Sequence, residues 1–95
     1  MSVDDLLKEL NIDKEPYENE NGSWTIDLDN STEYDRFASK LRKAESRGII
    51  EEDQEASQAG IETSSIQYVN EDENLVITLL ANFDLYEYKL IIREL

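Results

Sequence analysis

The 95-residue sequence contains no cysteine and no histidine, one proline, three glycines and only 9 Lys and Arg against 23 Asp and Glu. Without thiols it can form no disulfide, offers no thiolate nucleophile or sulfur ligand, and carries no mark of an oxidising compartment. Without imidazole it also lacks the usual general base at neutral pH and the commonest transition-metal ligand. The three glycines include no G-x-G arrangement, so no phosphate-cradling loop is present. No apolar run approaches the roughly 18 residues of a membrane span. The opening Met-Ser-Val-Asp-Asp is acidic where a secretory signal would be basic. The expectation is a cytoplasmic protein without membrane contact, in which the sequons Asn21-Gly-Ser and Asn30-Ser-Thr carry no glycan.

Carboxylates remain, and paired acids can run a glycosidase or hold magnesium. A chain of this length, however, leaves little room for a substrate cleft. The stretch from Asp27 opens like a calcium loop, with Asp27, Asp29 and Ser31 at positions one, three and five. It then places Thr32 where the turn glycine belongs and Ala38 where the bidentate glutamate belongs. A strand end followed by a helix cap is the better reading. The sequence thus points to a protein with no catalytic activity, no metal and no cofactor.

What is present is a patterned apolar minority. Apolar residues form 39% of the chain and charged ones 34%, enough for one modest core and hence a single domain over residues 1–95. Val3, Leu6, Leu7 and Leu10 recur at helical spacing, and the expected helix runs from a Ser2 cap to Asn11, with Asp4 and Asp5 in its first turn. Residues 12–22 are polar and predict a loop with a turn at Asn21-Gly22. Trp24, Ile26 and Leu28 alternate with Thr25, Asp27 and Asp29, a strand with one buried side. Asn30, Ser31 or Thr32 can cap a second helix ending near Arg47, with Tyr34, Phe37, Ala38, Leu41 and Ala44 inward and Gly48 as a left-handed stop.

Residues 49–60 contain good helix formers and could dock as an acidic helix through Ile49 and Ile50, but Gly48 and Gly60 bracket them as an acidic loop with a helical turn. Thr63–Val69, Leu75–Ala81 and Leu85–Arg93 then predict three strands joined by hairpin turns. In the last of these, Tyr86, Tyr88, Leu90 and Ile92 form the inward set. Leu75–Ala81 is apolar on both faces and belongs in the middle of the sheet, covered by helices on one side or by a partner. The fold class is therefore α+β: a four-stranded, mainly antiparallel sheet with two helices packed on it, in the order α-β-α-β-β-β, ending in a three-strand meander.

Charge is distributed unevenly along this plan. Arg36, Lys40, Lys43 and Arg47, at spacings of 4, 3 and 4, fall on one face of the second helix with Arg42 beside it. This basic stripe could contact phosphate or an acidic partner. Its plainer role is to balance neighbouring carboxylates and complement the helix dipole. Outside residues 36–47, the other 83 residues carry 22 acids against 4 bases. Such a surface repels nucleic acid and anionic membranes and suits a basic protein partner. Alternate strand residues lie about 6.8 Å apart, a length commensurate with the roughly 3.4 Å rise per phosphate along one DNA strand. The clusters Glu51, Glu52, Asp53 and Glu55, and Glu71, Asp72 and Glu73, are the expected partner-binding residues. Asp27 and Asp29 form a smaller one.

The first ten residues, "MSVDDLLKEL", together with the length and acidity, resemble the small acidic anti-CRISPR proteins of Listeria prophages. That resemblance implies a phage-encoded inhibitor occupying the nucleic-acid-binding surface of a bacterial defence protein. It carries over no individual contact residue. The expected function is thus a non-catalytic protein-binding module, an acidic inhibitor of phage or bacterial origin. It would mimic nucleic acid on the basic surface of a nucleic-acid enzyme or similar protein without binding nucleic acid itself. Two other readings fit the composition. One is an assembly or adaptor domain that self-associates, as a homodimer, or binds a partner through the outer side of Leu75–Ala81 or through Tyr86 and Tyr88. The other is an accessory protein whose acidity only keeps it soluble.

Overall fold

The computed structural model describes residues 3–95. Helix α1 spans Val3–Glu9, with Val3, Leu6 and Leu7 buried, and Leu10 and Ile12 continue that apolar edge into the core. The Ser2 cap expected for it lies outside the described residues. The helix ends two residues earlier than its pattern predicts because Asn11 turns left-handed, at φ 60. Its N–H reaches the Lys8 carbonyl (3.0 Å), and the Ile12 N–H reaches that of Leu7 (2.9 Å), the paired closure of a Schellman stop.

Strand β1 is Tyr17–Glu18 and β2 is Trp24–Leu28. They pair antiparallel through the turn expected at Asn21-Gly22, where Gly22 adopts φ 84. Helix α2, Ser31–Ser46, starts on an Asn30 cap whose side chain accepts from the Glu33 N–H (2.9 Å). It buries Tyr34, Phe37, Ala38, Leu41 and Ala44, the face its spacing predicts. Gly48, at φ 78, ends it in a second Schellman stop: Gly48 N–H to Glu45 and Ile49 N–H to Ala44, each 3.0 Å.

The acidic stretch after Gly48 is neither loop nor helix alone. Strands β3, Glu51–Glu52, and β4, Gln58–Ala59, both pair with the outer edge of β5, Thr63–Asn70. Between them the edge bulges outward. Ser57 mends the gap: its hydroxyl accepts from the Gln67 N–H (3.0 Å) and donates to the Asp53 carbonyl (2.8 Å). The meander closes with β6, Leu75–Asn82, and β7, Glu87–Glu94.

Among the described residues the sheet therefore has seven strands rather than the four expected, in the order β1-β2-β7-β6-β5-β3 with β4 also on β5, and every pairing is antiparallel. The three additional strands are two residues long and carry no alternation of their own; partners elsewhere in the chain define them. β6 is interior, as its two apolar faces require. One row of the covered face runs Ile26, Leu90, Leu79 and Ile66 across four strands, and the two helices complete the core over it. Among the described residues no helix covers the opposite face. There Val69, Val76, Leu80 and Ile91 stand among Gln67, Thr78, Ser65 and Lys89. Val76 is fully buried by its neighbours, whereas Leu80 and Ile91 are half-buried.

Two expectations about which side chains face inward need correction. Tyr86 does not share an inward face with Tyr88: it sits in the β6–β7 turn, 79% exposed. Tyr88 is buried and packs at a tilt against Tyr34 (ring centroids 5.4 Å apart) and edge-on against Phe83 (6.1 Å). They cannot form a common contact set. Thr25, expected outward and polar, is buried because the β1–β2 turn folds over it and the Asn19 amide donates to its hydroxyl (2.8 Å).

Candidate acidic interface

The pairing of β3 with β5 does more than lengthen the sheet. Glu51 lies opposite Val69, and Glu71 and Asp72 follow two residues later in the β5–β6 turn. Acids about 20 positions apart in sequence thus meet at one end of the molecule. They line a shallow depression of about 320 Å³ together with Glu45, Gly48, Ile49, Ile50 and Val69. Glu51, Glu71 and Asp72 are exposed, so their charges face solvent.

The other expected contact residues take different positions. Glu52 faces the opposite side of β3 from Glu51, and its N–H donates to the Glu45 carboxylate (2.9 Å). The Asp53 carboxylate accepts from the Ala56 N–H (3.2 Å), holding the turn between β3 and β4. Glu55 is exposed in that same turn, away from the depression. Glu73 is half-buried, and its N–H donates to the Asn70 side chain (2.9 Å). Asp27 is engaged by the Tyr17 hydroxyl (3.1 Å) and stands across from Lys89, while Asp29 lies 3.7 Å from Lys14.

Glu45 is the member that sequence reasoning missed. It belongs to the segment singled out for its cations, and nothing in the spacing shows that it faces the acidic strand. In the fold it is half-buried beside Tyr68. The Tyr68 hydroxyl is held above its usual range, first by burial and then by the negative charges of Glu45 and Glu52. The local field is therefore negative, although Arg42 opposes it.

Arg36 and Lys43 of the basic stripe are exposed on α2 and Arg47 at its C-cap, with Arg42 beside them. Lys40 has a structural role: its ammonium donates to the Asn11 carbonyl (2.7 Å) at the end of α1 and sits 5.7 Å from the Phe37 ring centre. It ties the two helices together. Among the described residues no group of three or more carboxylates is arranged to hold a metal ion, and no helix is long and apolar enough to cross a membrane. No protein-family model, curated protein or solved structure matches the chain.

Proposed function

We propose that the protein is a non-catalytic, cytoplasmic inhibitor of phage or bacterial origin, whose acidic end occupies the basic surface of a nucleic-acid-binding protein in place of nucleic acid. The observation that carries this reading is the convergence of Glu45, Glu51, Glu71 and Asp72 around one depression, on a molecule of net charge −14. Gathering like charge costs stability through self-repulsion, and a cationic partner offsets that cost. Arg and Lys side chains that grip phosphate also accept carboxylate.

The test is a pull-down from bacterial lysate with the tagged protein, washed in steps from about 50 to about 500 mM salt. The expected result is a nucleic-acid-binding protein that duplex DNA or RNA displaces and that the Glu51→Gln/Glu71→Gln/Asp72→Asn variant no longer retains. A partner that resists salt, ignores nucleic acid and binds the variant equally would overturn the proposal.

One observation favours a second reading, association through the sheet. The helix-free face presents Leu80 and Ile91 beside Val69 and Val76, and the charged pair Asp27 and Lys89 is matched across strands. An adaptor or homodimer built on that face would strengthen with salt, and sedimentation velocity at low and high salt separates the two readings.

A further inference from the structure

The two hairpin turns of the meander share one construction. In the β5–β6 turn the Asn70 side chain accepts from the Glu73 N–H (2.9 Å), and in the β6–β7 turn Asn82 does the same for Leu85 (3.1 Å). Asn70 pairs with Leu75 and Asn82 with Glu87, so each turn holds four residues. The fourth is left-handed in both, at φ 54. In the first turn that residue is Asn74, a type that tolerates the conformation; in the second it is Tyr86, a bulky type that rarely adopts it. The strain at Tyr86 is not repaid by packing, since the residue is 79% exposed.

Its neighbours are equally unusual for surface positions. Leu85 is 63% exposed and Ile61 96%, and Ile61 lies alongside because the Phe83 N–H donates to the Glu62 carbonyl (2.8 Å). Phe83, itself 36% exposed, sets its ring edge-on to Tyr34 (6.2 Å) and Tyr88 (6.1 Å), which ties the turn to the rim of the core. Leu85 and Tyr86 thus stand outward on a turn tied down by the Phe83 ring and the Asn82 side chain, contacts that lower the ordering cost of docking. The charges of the turn and the segment beside it are Glu62, Asp84 and Glu87, with no Lys or Arg in residues 61–63 or 82–87; the nearest cation along β7 is Lys89, which shares a depression with Thr63, Asn82 and Glu87.

We propose that this turn is a recognition tip, which seats Leu85 and Tyr86 in an apolar groove bordered by lysine or arginine on a partner protein. It rests on the preceding reading only in taking the partner to be a basic protein. The tip lies at the opposite end of the strands from the acidic depression, so the two sites are separately testable.

The probes are an amphipathic leucine–lysine peptide and an oligolysine of equal charge, titrated into the isotope-labelled protein and followed by amide chemical shifts. The leucine–lysine peptide should shift Ile61, Glu62 and Phe83 to Glu87 and bind at least about tenfold more tightly than oligolysine. Oligolysine should act mainly at Glu51, Glu71 and Asp72. The Leu85→Ser/Tyr86→Asn variant should bind both peptides with the affinity the wild type shows for oligolysine. Tyr86→Asn alone should raise Tm by about 4 °C, which a structural role for the ring would not allow. Equal affinity of the two peptides for wild type, or undiminished leucine–lysine binding by the double variant, overturns the tip while leaving the acidic interface standing. Shifts at the tip without any response at the acidic end leave the tip and overturn the acidic interface; silence at both ends overturns both.

Discussion

Glu33 and Asn30 show how few polar contacts fix the start of α2. Asn30 caps the Glu33 N–H, and the Glu33 carboxylate reaches back to the Asp29 N–H (3.0 Å) and out to Lys14 (2.6 Å). Asn30→Ala should destabilise the protein by about 1 kcal/mol, lowering Tm by roughly 4–8 °C in thermal melts. The Lys14 ammonium, and then the Asp29 amide, hold the Glu33 carboxyl below its ordinary value of 4.5. A depressed value in the folded state gives stability that is complete above about pH 4.5 and lost as pH falls through the folded value. Glu33→Gln should therefore lower Tm at pH 7, and the gap from wild type should narrow as pH falls below about 4.5. A gap independent of pH would contradict the ion pair. Asn30 was legible only as one of three candidate caps, with Ser31 and Thr32, and Lys14 was not legible at all: it lies 19 residues away in a segment with no periodicity.

At the scale of elements, the long patterned segments were the legible ones. Both helices and the β5, β6 and β7 meander follow from apolar spacing, because each buries one side of its own sequence. β1, β3 and β4 escaped because two residues make no pattern; β5 recruits β3 and β4 through its free edge. The acidic interface was half legible for the same reason. Both clusters could be named, but their meeting depends on the Glu51 and Val69 register. Of the proposed tip only Tyr86 was legible, and as a partner of Tyr88, because the Tyr86, Tyr88 and Leu90 alternation is continuous in sequence while the chain turns at Tyr86. Leu79, fully buried in the row linking Ile66 to Leu90, gives the sheet its sharpest test. Leu79→Ala should cost about 3 kcal/mol by denaturant unfolding, whereas Leu80→Ala on the helix-free face should cost less than half as much.

For the molecule as a whole, charge sets the terms. Its axes are 35, 27 and 23 Å, and the screening length is about 30 Å at 0.01 M salt but about 10 Å at 0.1 M. At low salt the carboxylates at the acidic end, the turns and β2 repel one another across the entire fold; at 0.1 M only near neighbours do. Added sodium chloride should accordingly raise Tm by several degrees over that range, and a flat response would show that self-repulsion does not limit the stability of the fold. The same charges should govern recognition. The most direct measurement is the affinity for the captured partner between about 50 and 200 mM salt, for wild type and for Glu51→Gln/Glu71→Gln/Asp72→Asn. Binding through the acidic end predicts that wild-type affinity falls by at least about tenfold across this range, and that the variant binds more weakly with a flatter salt dependence. Equal affinity and equal slope for the two proteins would contradict it.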